Sequence, residues 1–437
     1  MLDKLGGIPI KAEAIQWLLT PSRFKAELLA RIATAVHSIY IAALYLEDDE
    51  AGREVLQALL AAKARNPSLD VKVFVDFHRA RRGLIGHKGD SGNYIMYRKI
   101  MSECEHPIEI LGVPVKSREF MGVLHLKGFI IDDVVIFSGA SINNIYLQQN
   151  EKYRFDRYHL IDSAPLAHSM RTMIQKFIVA DPAVTSLTQA AEDEQLPQKP
   201  EVRNYKFRLA QAHYEYSSVK RGNRITPLVG LGRKKNLLNK TVVALVEESK
   251  HSLFICTPYF NPPYILVRAL AKHLRNGKRI DIVVGDKTAN DFYIPPEQDF
   301  STIGALPYMY EQSLRKFAKR QQWAIDNGQL NIHLWKHERN SFHLKGISAD
   351  DNRHLITGSN LNPRAWALDL ENGLLVHDET GEWKAQFEQE QQHILEHTQR
   401  LYHYSQVDTL QSYPKPVKKI MTRIRRLKAD FLLRRIL

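Results

Sequence analysis

A histidine and a lysine two residues apart recur in one setting. His125-Leu126-Lys127-Gly128 runs on to Asp132, and His343-Leu344-Lys345-Gly346 to Asp350, so both copies read H-x-K-x4-D. Each leads into a small polar cluster, Ser138-Gly139-Ala140-Ser141-Ile142-Asn143 in one and Thr357-Gly358-Ser359-Asn360-Leu361-Asn362 in the other. Neutral imidazole is a nucleophile near pH 7, and a lysine beside it stabilises negative charge on phosphoryl oxygens. A second histidine adds what one half-site lacks, a proton for the leaving oxygen and a base for the incoming hydroxyl. One copy alone would fit a satisfied core histidine beside a solvated lysine. Two copies with matching tails point to two half-sites of one phosphate-handling centre.

Side chains alternate along a strand, so His125 and Lys127 are expected on one face, as are His343 and Lys345. Asp132 and Asp350 each stand seven residues after their histidine. That odd offset sends them to the opposite face of an unbroken strand and favours a structural role. The repetition extends further. His37-Ser38-Ile39-Tyr40-Ile41 is matched by His251-Ser252-Leu253-Phe254-Ile255, and Val71–Asp76 by Ile280–Asp286, with helical patterns between. Further strands are expected over 108–115 and 330–335. The order predicts an α/β fold with a mixed, helix-flanked sheet in each half. The expected organisation is a first half over 1–195, a connection over 196–223, a second half over 224–405 and a tail over 406–437.

Other residues are weaker candidates. Arg79, Arg81 and Arg82 follow the strand ending at Asp76, where α/β sheets present ligands, and Lys287 follows Asp286 at the equivalent place; either a diphosphate or solvent would suit them. Glu47, Asp48 and Asp49 are candidates for a substrate ammonium, or an ordinary acidic loop.

The chain has 437 residues, long enough for two domains, with 25% charged and 44% hydrophobic residues as in ordinary globular proteins. Cys104 and Cys256 form no disulfide framework, which suits a reducing compartment. Met1-Leu2-Asp3-Lys4-Leu5 does not read as an export signal, and no apolar run reaches the roughly 18 residues that span a bilayer. Of the net charge of +13, the stretch from Lys415 onward contributes +8, from nine basic residues against Asp430. Val417, Ile420, Met421, Ile424, Leu427 and Phe431 recur at helical spacing, and Lys418, Lys419, Arg423, Arg425 and Arg426 cover the other faces. A basic amphipathic helix of this kind suits an anionic membrane surface. A helix packed on the body is one alternative. A nucleic-acid contact is another, disfavoured because Phe431 is the only aromatic residue in the stretch. The expectation is a cytoplasmic protein lying on the inner face of the cell membrane.

With its doubled motif on two α/β halves, the chain resembles the phospholipase D superfamily. Within it, the chain is similar to the bacterial CDP-diacylglycerol–serine O-phosphatidyltransferases through Val123-Leu124-His125, Gly285-Asp286-Lys287-Thr288-Ala289-Asn290-Asp291-Phe292-Tyr293 and Asn362-Pro363-Arg364-Ala365-Trp366. The resemblance implies two fused, quasi-two-fold-related halves and a two-step exchange that needs no metal or other cofactor. One histidine attacks CDP-diacylglycerol, CMP leaves, and L-serine resolves the phosphatidyl-histidine to phosphatidylserine. It implies His125 as nucleophile and His343 as acid and then base, although the residues themselves permit the reverse. Lys127, Lys345 and Asn360 would hold phosphoryl oxygens. It also implies a carboxylate on each histidine, and aligning Arg154-Phe155-Asp156-Arg157 with Asp369-Leu370-Glu371-Asn372 proposes Asp156 and Glu371. The first half departs from the pattern: Ser141 stands where the second has Asn360, leaving Ser141 or Asn143 for phosphate. Rival readings keep the site but change the acceptor, to glycerol or a second lipid as in cardiolipin synthases, or to water as in a phosphodiesterase or nuclease. One chain holds both half-sites, and the oligomeric state stays open.

Overall fold

Apolar runs and helical stripes assemble into two sheets of one design. The structure, a computed structural model, describes residues 1–82, 92–189, 196–295 and 297–426. The first sheet has the strand order Thr185–Ser186, Glu109–Val113, Asp70–Asp76, Ser38–Ala42, Gly128–Ile131, Val134–Ser138, Tyr158–Asp162, Ile15–Trp17. The second has Ile8–Pro9, Arg224–Leu231, Leu370–His377, Arg353–Thr357, Gly346–Ala349, Ser252–Thr257, Arg279–Gly285, Leu330–Trp335, Thr398–Leu401. In both, three strands run parallel and the strand that follows the motif lysine lies antiparallel beside the first of them. The fold is therefore α/β, with two mixed sheets of matching topology. The Ile8–Pro9 strand pairs with Arg224–Leu231, so the first residues of the chain join the second sheet.

Parallel neighbours require a crossover, which the helices Glu50–Arg65 and Tyr264–Arg275 make on the outer faces. Asp49 caps the first, accepting from Gly52 N at 2.9 Å. The inner faces share one core: Leu124, Leu126, Val135 and Phe137 of the first half pack with Ile356, Leu370, Leu374 and Val376 of the second. Each buried aliphatic or aromatic side chain contributes about 1.5–3 kcal/mol, so the halves are held as one body. Between them the expected surface connection contains a helix, Lys199–Leu209, that buries Val202, Tyr205 and Leu209.

The tail forms the helix Lys415–Arg426, but its apolar face is not free for lipid as expected. Val417 is fully buried and Met421 nearly so, packed with Tyr308, Met309 and Tyr413, and Ile424 leans on the same cluster. The helix Leu306–Arg320 offers an apolar surface nearer than any membrane, so the body takes that face. Ile420 and Lys418 are half-buried, and Lys419, Arg423 and Arg426 are exposed. The Arg425 side chain, Leu427 and Phe431 lie outside the described residues. No helix among the described residues is long and apolar enough to cross a membrane.

Candidate active site

The H-x-K residues do not lie on the strands where alternation would put them. Those strands begin at Gly128 and Gly346, each at φ +149°, a region that favours glycine. The histidine and lysine occupy an extended stretch just before, held by the opposite half. His125 N donates to Leu370 O at 3.0 Å, and Leu370 N to Val123 O at 3.0 Å. Asn372 brackets Lys127, accepting from its N–H at 2.9 Å and donating to its carbonyl at 2.8 Å. In the other motif, His343 N donates to Phe155 O at 2.8 Å, and Ser341–Phe342 pairs in parallel with Arg154–Phe155. Asp76, buried at the end of its strand, accepts from Leu124 N at 2.8 Å and so pins the backbone one residue before His125. Burial lifts its carboxyl to about 6.

Crossing over continues in the side chains. His125 Nδ1 lies 2.9 Å from Glu371 Oε2, and His343 Nδ1 lies 3.0 Å from Asp156 Oδ2. Each imidazole is thus oriented by a carboxylate of the other half, which leaves Nε2 facing the substrate, and His343 Nδ1 also meets Lys345 Nζ. Lys345 Nζ is 3.1 Å from Asp156 Oδ2, and Lys127 Nζ donates to Ser141 Oγ at 3.0 Å. All of these groups are buried, the two lysines to 1% exposure.

Burial, reinforced by Lys127 and Lys345, holds the His125 imidazole well below its ordinary range. Burial and then Lys345 do the same to His343, where Asp291 pulls the other way. Both rings are therefore neutral near pH 7, the state a nucleophile needs. Burial and the neighbouring Lys345 bring Lys127 down to about 7. Burial raises Asp156 against the pull of Lys345, and burial with Asp369 raises Glu371. A phosphodiester anion among these lysines moves their pKa values back up and strengthens their hold on its oxygens.

The polar clusters have a further purpose that residue type alone did not reveal. A Cβ on Gly139 would sit 2.7 Å from Asp156 Oδ2 and 2.9 Å from Lys345 Nζ, and one on Gly358 would sit 2.7 Å from Lys127 Cγ. Each glycine makes room for the lysine of the opposite motif. Its recurrence at the same place in both clusters was the available signal.

The motif aspartates stand apart from the imidazoles. Asp132 accepts from the N–H groups of Val36, His37 and Ser38 at 2.9, 2.8 and 2.9 Å. Asp350 accepts from those of Lys250, His251 and Ser252 at 2.6, 2.8 and 3.0 Å. Each occupies a hairpin turn at positive φ, +48° and +52°, and ties it to the start of the neighbouring strand. Asn143 braces the first half-site from behind, accepting from Tyr146 N at 3.0 Å. Asn360 Oδ1 is buried without a hydrogen-bond partner, ready for a donor rather than a phosphoryl oxygen unless the amide is turned. Arg79 and Lys287 are not free for a diphosphate. Arg79 Nη2 binds Glu47 Oε2 at 2.7 Å over the Tyr45 ring, and Lys287 is paired with Glu311 at 3.0 Å and with Asp408. Arg82 pairs with Glu119, and Asp48 with Arg53. Sequence reasoning missed Tyr146, whose OH lies 2.9 Å from His343 Nδ1, and the role of Arg154, which pairs with Asp291 at 2.8 Å.

Residues 28–178 and 242–395 match the family described as cardiolipin synthase, PLD-like domain, one match on each half. The CDP-diacylglycerol–serine O-phosphatidyltransferase of Haemophilus influenzae is 45% identical over 444 residues, spanning 100% of this chain and 97% of that protein. The enzyme of that name from Escherichia coli is 45% identical over 445 residues, with the same coverage, 100% and 97%. The crystal structure of phosphatidylserine synthase from Haemophilus influenzae matches with a TM-score of 0.97 at 44% identity, covering 100% of this chain and 98% of that one. Full-length similarity of this kind, over a fold whose two halves exchange carboxylates at a shared site, means that the chain belongs to the CDP-diacylglycerol–serine O-phosphatidyltransferase family of PLD-like proteins.

Proposed function

We propose that the protein transfers a phosphatidyl group from CDP-diacylglycerol to L-serine, forming phosphatidylserine and CMP, with His125 and His343 as its reacting groups. The observation that carries the chemistry is the crossed pairing, in which Glu371 and Asp156 hold the two Nδ1 atoms at 2.9 and 3.0 Å. His125 Nε2 attacks the phosphorus bearing diacylglycerol. The bound diphosphate anion raises the His343 pKa so that its Nε2 takes up a proton; the P–N bond then forms as the P–O bond to CMP breaks, and His343 gives that Nε2 proton to the leaving oxygen. Serine Oγ then attacks the same phosphorus, His343 takes the hydroxyl proton, and the P–N bond breaks. Lys127, Lys345 and Ser141 steady the non-bridging oxygens.

The lipid substrate requires contact with a bilayer. The exposed Lys419, Arg423 and Arg426 form a basic surface for anionic headgroups at the cytoplasmic face.

The test is CMP release from CDP-diacylglycerol in anionic mixed micelles containing EDTA, with and without serine. Serine-dependent CMP and a new serine-bearing lipid, both lost in His125→Ala and His343→Ala, are expected. Phosphatidic acid as the only lipid product would make water the acceptor and overturn the reading.

A further inference from the structure

The half-sites are alike in their motifs and unlike in what flanks them. Beside His343, Arg154 Nη2 and Asp291 Oδ1 lie 2.8 Å apart, with side chains 14% and 11% exposed. Tyr259 OH donates to Asp291 Oδ2 at 2.9 Å, and the Arg154 guanidinium lies over the Tyr146 ring at 4.6 Å. Both tyrosine rings meet the His343 imidazole edge-on, Tyr146 at 5.5 Å and Tyr259 at 6.3 Å. Asp291 Oδ1, close as it is to Arg154, is buried and accepts no hydrogen bond.

Beside His125 the equivalent place is built differently. Arg154 stands two residues before Asp156, and Asp369 two before Glu371. Asp369 accepts from Val123 N at 2.9 Å and pairs with Arg364 at 3.1 Å, and Arg364 donates to Glu119 O at 3.0 Å. That pair braces backbone leading into the motif. Arg154 and Asp291 reach side chains instead, Ser341 and Tyr259. A buried ion pair rarely stabilises a fold better than apolar residues would. A pair placed beside a reacting imidazole, whose buried Asp291 Oδ1 meets the guanidinium without a hydrogen bond, is therefore better explained by a ligand.

In-line displacement puts nucleophile and leaving group on opposite sides of phosphorus. The acceptor must then enter where CMP left, on the His343 side. A zwitterionic amino acid is the electrostatic counterpart of an arginine–aspartate pair: its ammonium suits Asp291 Oδ1 and its carboxylate the guanidinium. Building on the transferase reading above, we propose that Arg154, Asp291 and Tyr259 form the acceptor subsite, which selects the amino-acid zwitterion and aims its hydroxyl at His343 Nε2.

Full-length Asp291→Asn in CDP-diacylglycerol micelles is the test, with two readouts. One is serine-dependent CMP release against serine concentration. The other is exchange of labelled CMP into CDP-diacylglycerol without serine, which needs only the first half-reaction. Losing a charge-assisted hydrogen bond raises the serine KM by about tenfold or more, while exchange, which needs no acceptor, falls by a smaller factor than serine-dependent transfer. The variant also gains relative activity with 3-hydroxypropionate, which has the hydroxyl and carboxylate but no ammonium. An unchanged serine KM, or exchange that falls as far as transfer, overturns the subsite. Wild-type protein that exchanges CMP yet ignores serine would instead overturn the serine reading itself. Should Asp291→Asn not fold, Tyr259→Phe removes the hydroxyl that holds Asp291, and a serine KM raised by about threefold with intact exchange is expected.

Discussion

Removing the charge from Asp156 should slow the reaction more than removing it from Glu371. Asp156 Oδ2 receives both His343 Nδ1 at 3.0 Å and Lys345 Nζ at 3.1 Å. Glu371 Oε2 receives His125 Nδ1 alone, at 2.9 Å, and its Oε1 is buried without a partner. Burial beside Asp369 also lifts Glu371 toward its neutral form, so an amide there changes less charge. A hydrogen bond to a charged group contributes about 1.5–3 kcal/mol. Asp156→Asn weakens two of them, about 3–6 kcal/mol if they add, and Glu371→Gln weakens one. At about 1.4 kcal/mol per decade, kcat/KM falls by about 10²–10⁴ for Asp156→Asn and about 10–10² for Glu371→Gln. The assay is serine-dependent CMP release in EDTA, with thermal melts by circular dichroism to show that both near-isosteric variants keep the fold. Equal losses, a larger loss in Glu371→Gln, or Asp156→Asn within about threefold of wild type would refute the two-bond reasoning.

Gly139→Ala places a methyl 2.9 Å from Lys345 Nζ and Gly358→Ala places one 2.7 Å from Lys127 Cγ, each a lysine of the opposite half, so kcat should fall at least about tenfold with a small change in melting temperature; unchanged kcat would remove the glycines from the site's design. Burial, then Arg157 for His354 and Arg224 for His377, depresses both histidines to about 3 in the folded protein. The unfolded chain binds their protons from an ordinary value near 6.5, so stability is full above that and falls as pH drops toward 3. Urea midpoints at pH 7 and 4.5 should show this, and His354→Gln should narrow the difference. A triple Lys419→Glu, Arg423→Glu, Arg426→Glu variant should lower sedimentation with anionic vesicles by about a hundredfold or more, at about 1 kcal/mol per basic residue near the surface. Undiminished binding would place the lipid contact elsewhere.

The mixed-sheet α/β frame and the duplication of the histidine–lysine motif were legible because both are written in local spacing. Apolar runs with helical stripes between them specify parallel strands with crossovers, and the doubled H-x-K-x4-D marks two equivalent half-sites. Other features needed the third dimension. Val417 and Met421 lie on a face that suits a bilayer and a protein surface equally; the presence of Tyr308 and Met309 opposite them decides which one it meets. The helix Lys199–Leu209 was hidden because its proline and charges resemble a linker, while its buried Val202, Tyr205 and Leu209 depend on neighbours distant in the chain. Arg79 and Lys287 stood at the strand ends where ligands bind, yet Glu47 and Glu311 were there to pair with them.

The sequence by itself determined that two histidine–lysine pairs would meet on a repeated α/β frame, since spacing and periodicity are properties of a few adjacent residues. Only the tertiary structure decided that each histidine takes its carboxylate from the other half, and that an ion pair flanks one of them. Those partners are 246 and 187 residues apart for the imidazoles. Contacts over such separations come from packing two sheets on a common core, and no local pattern records them.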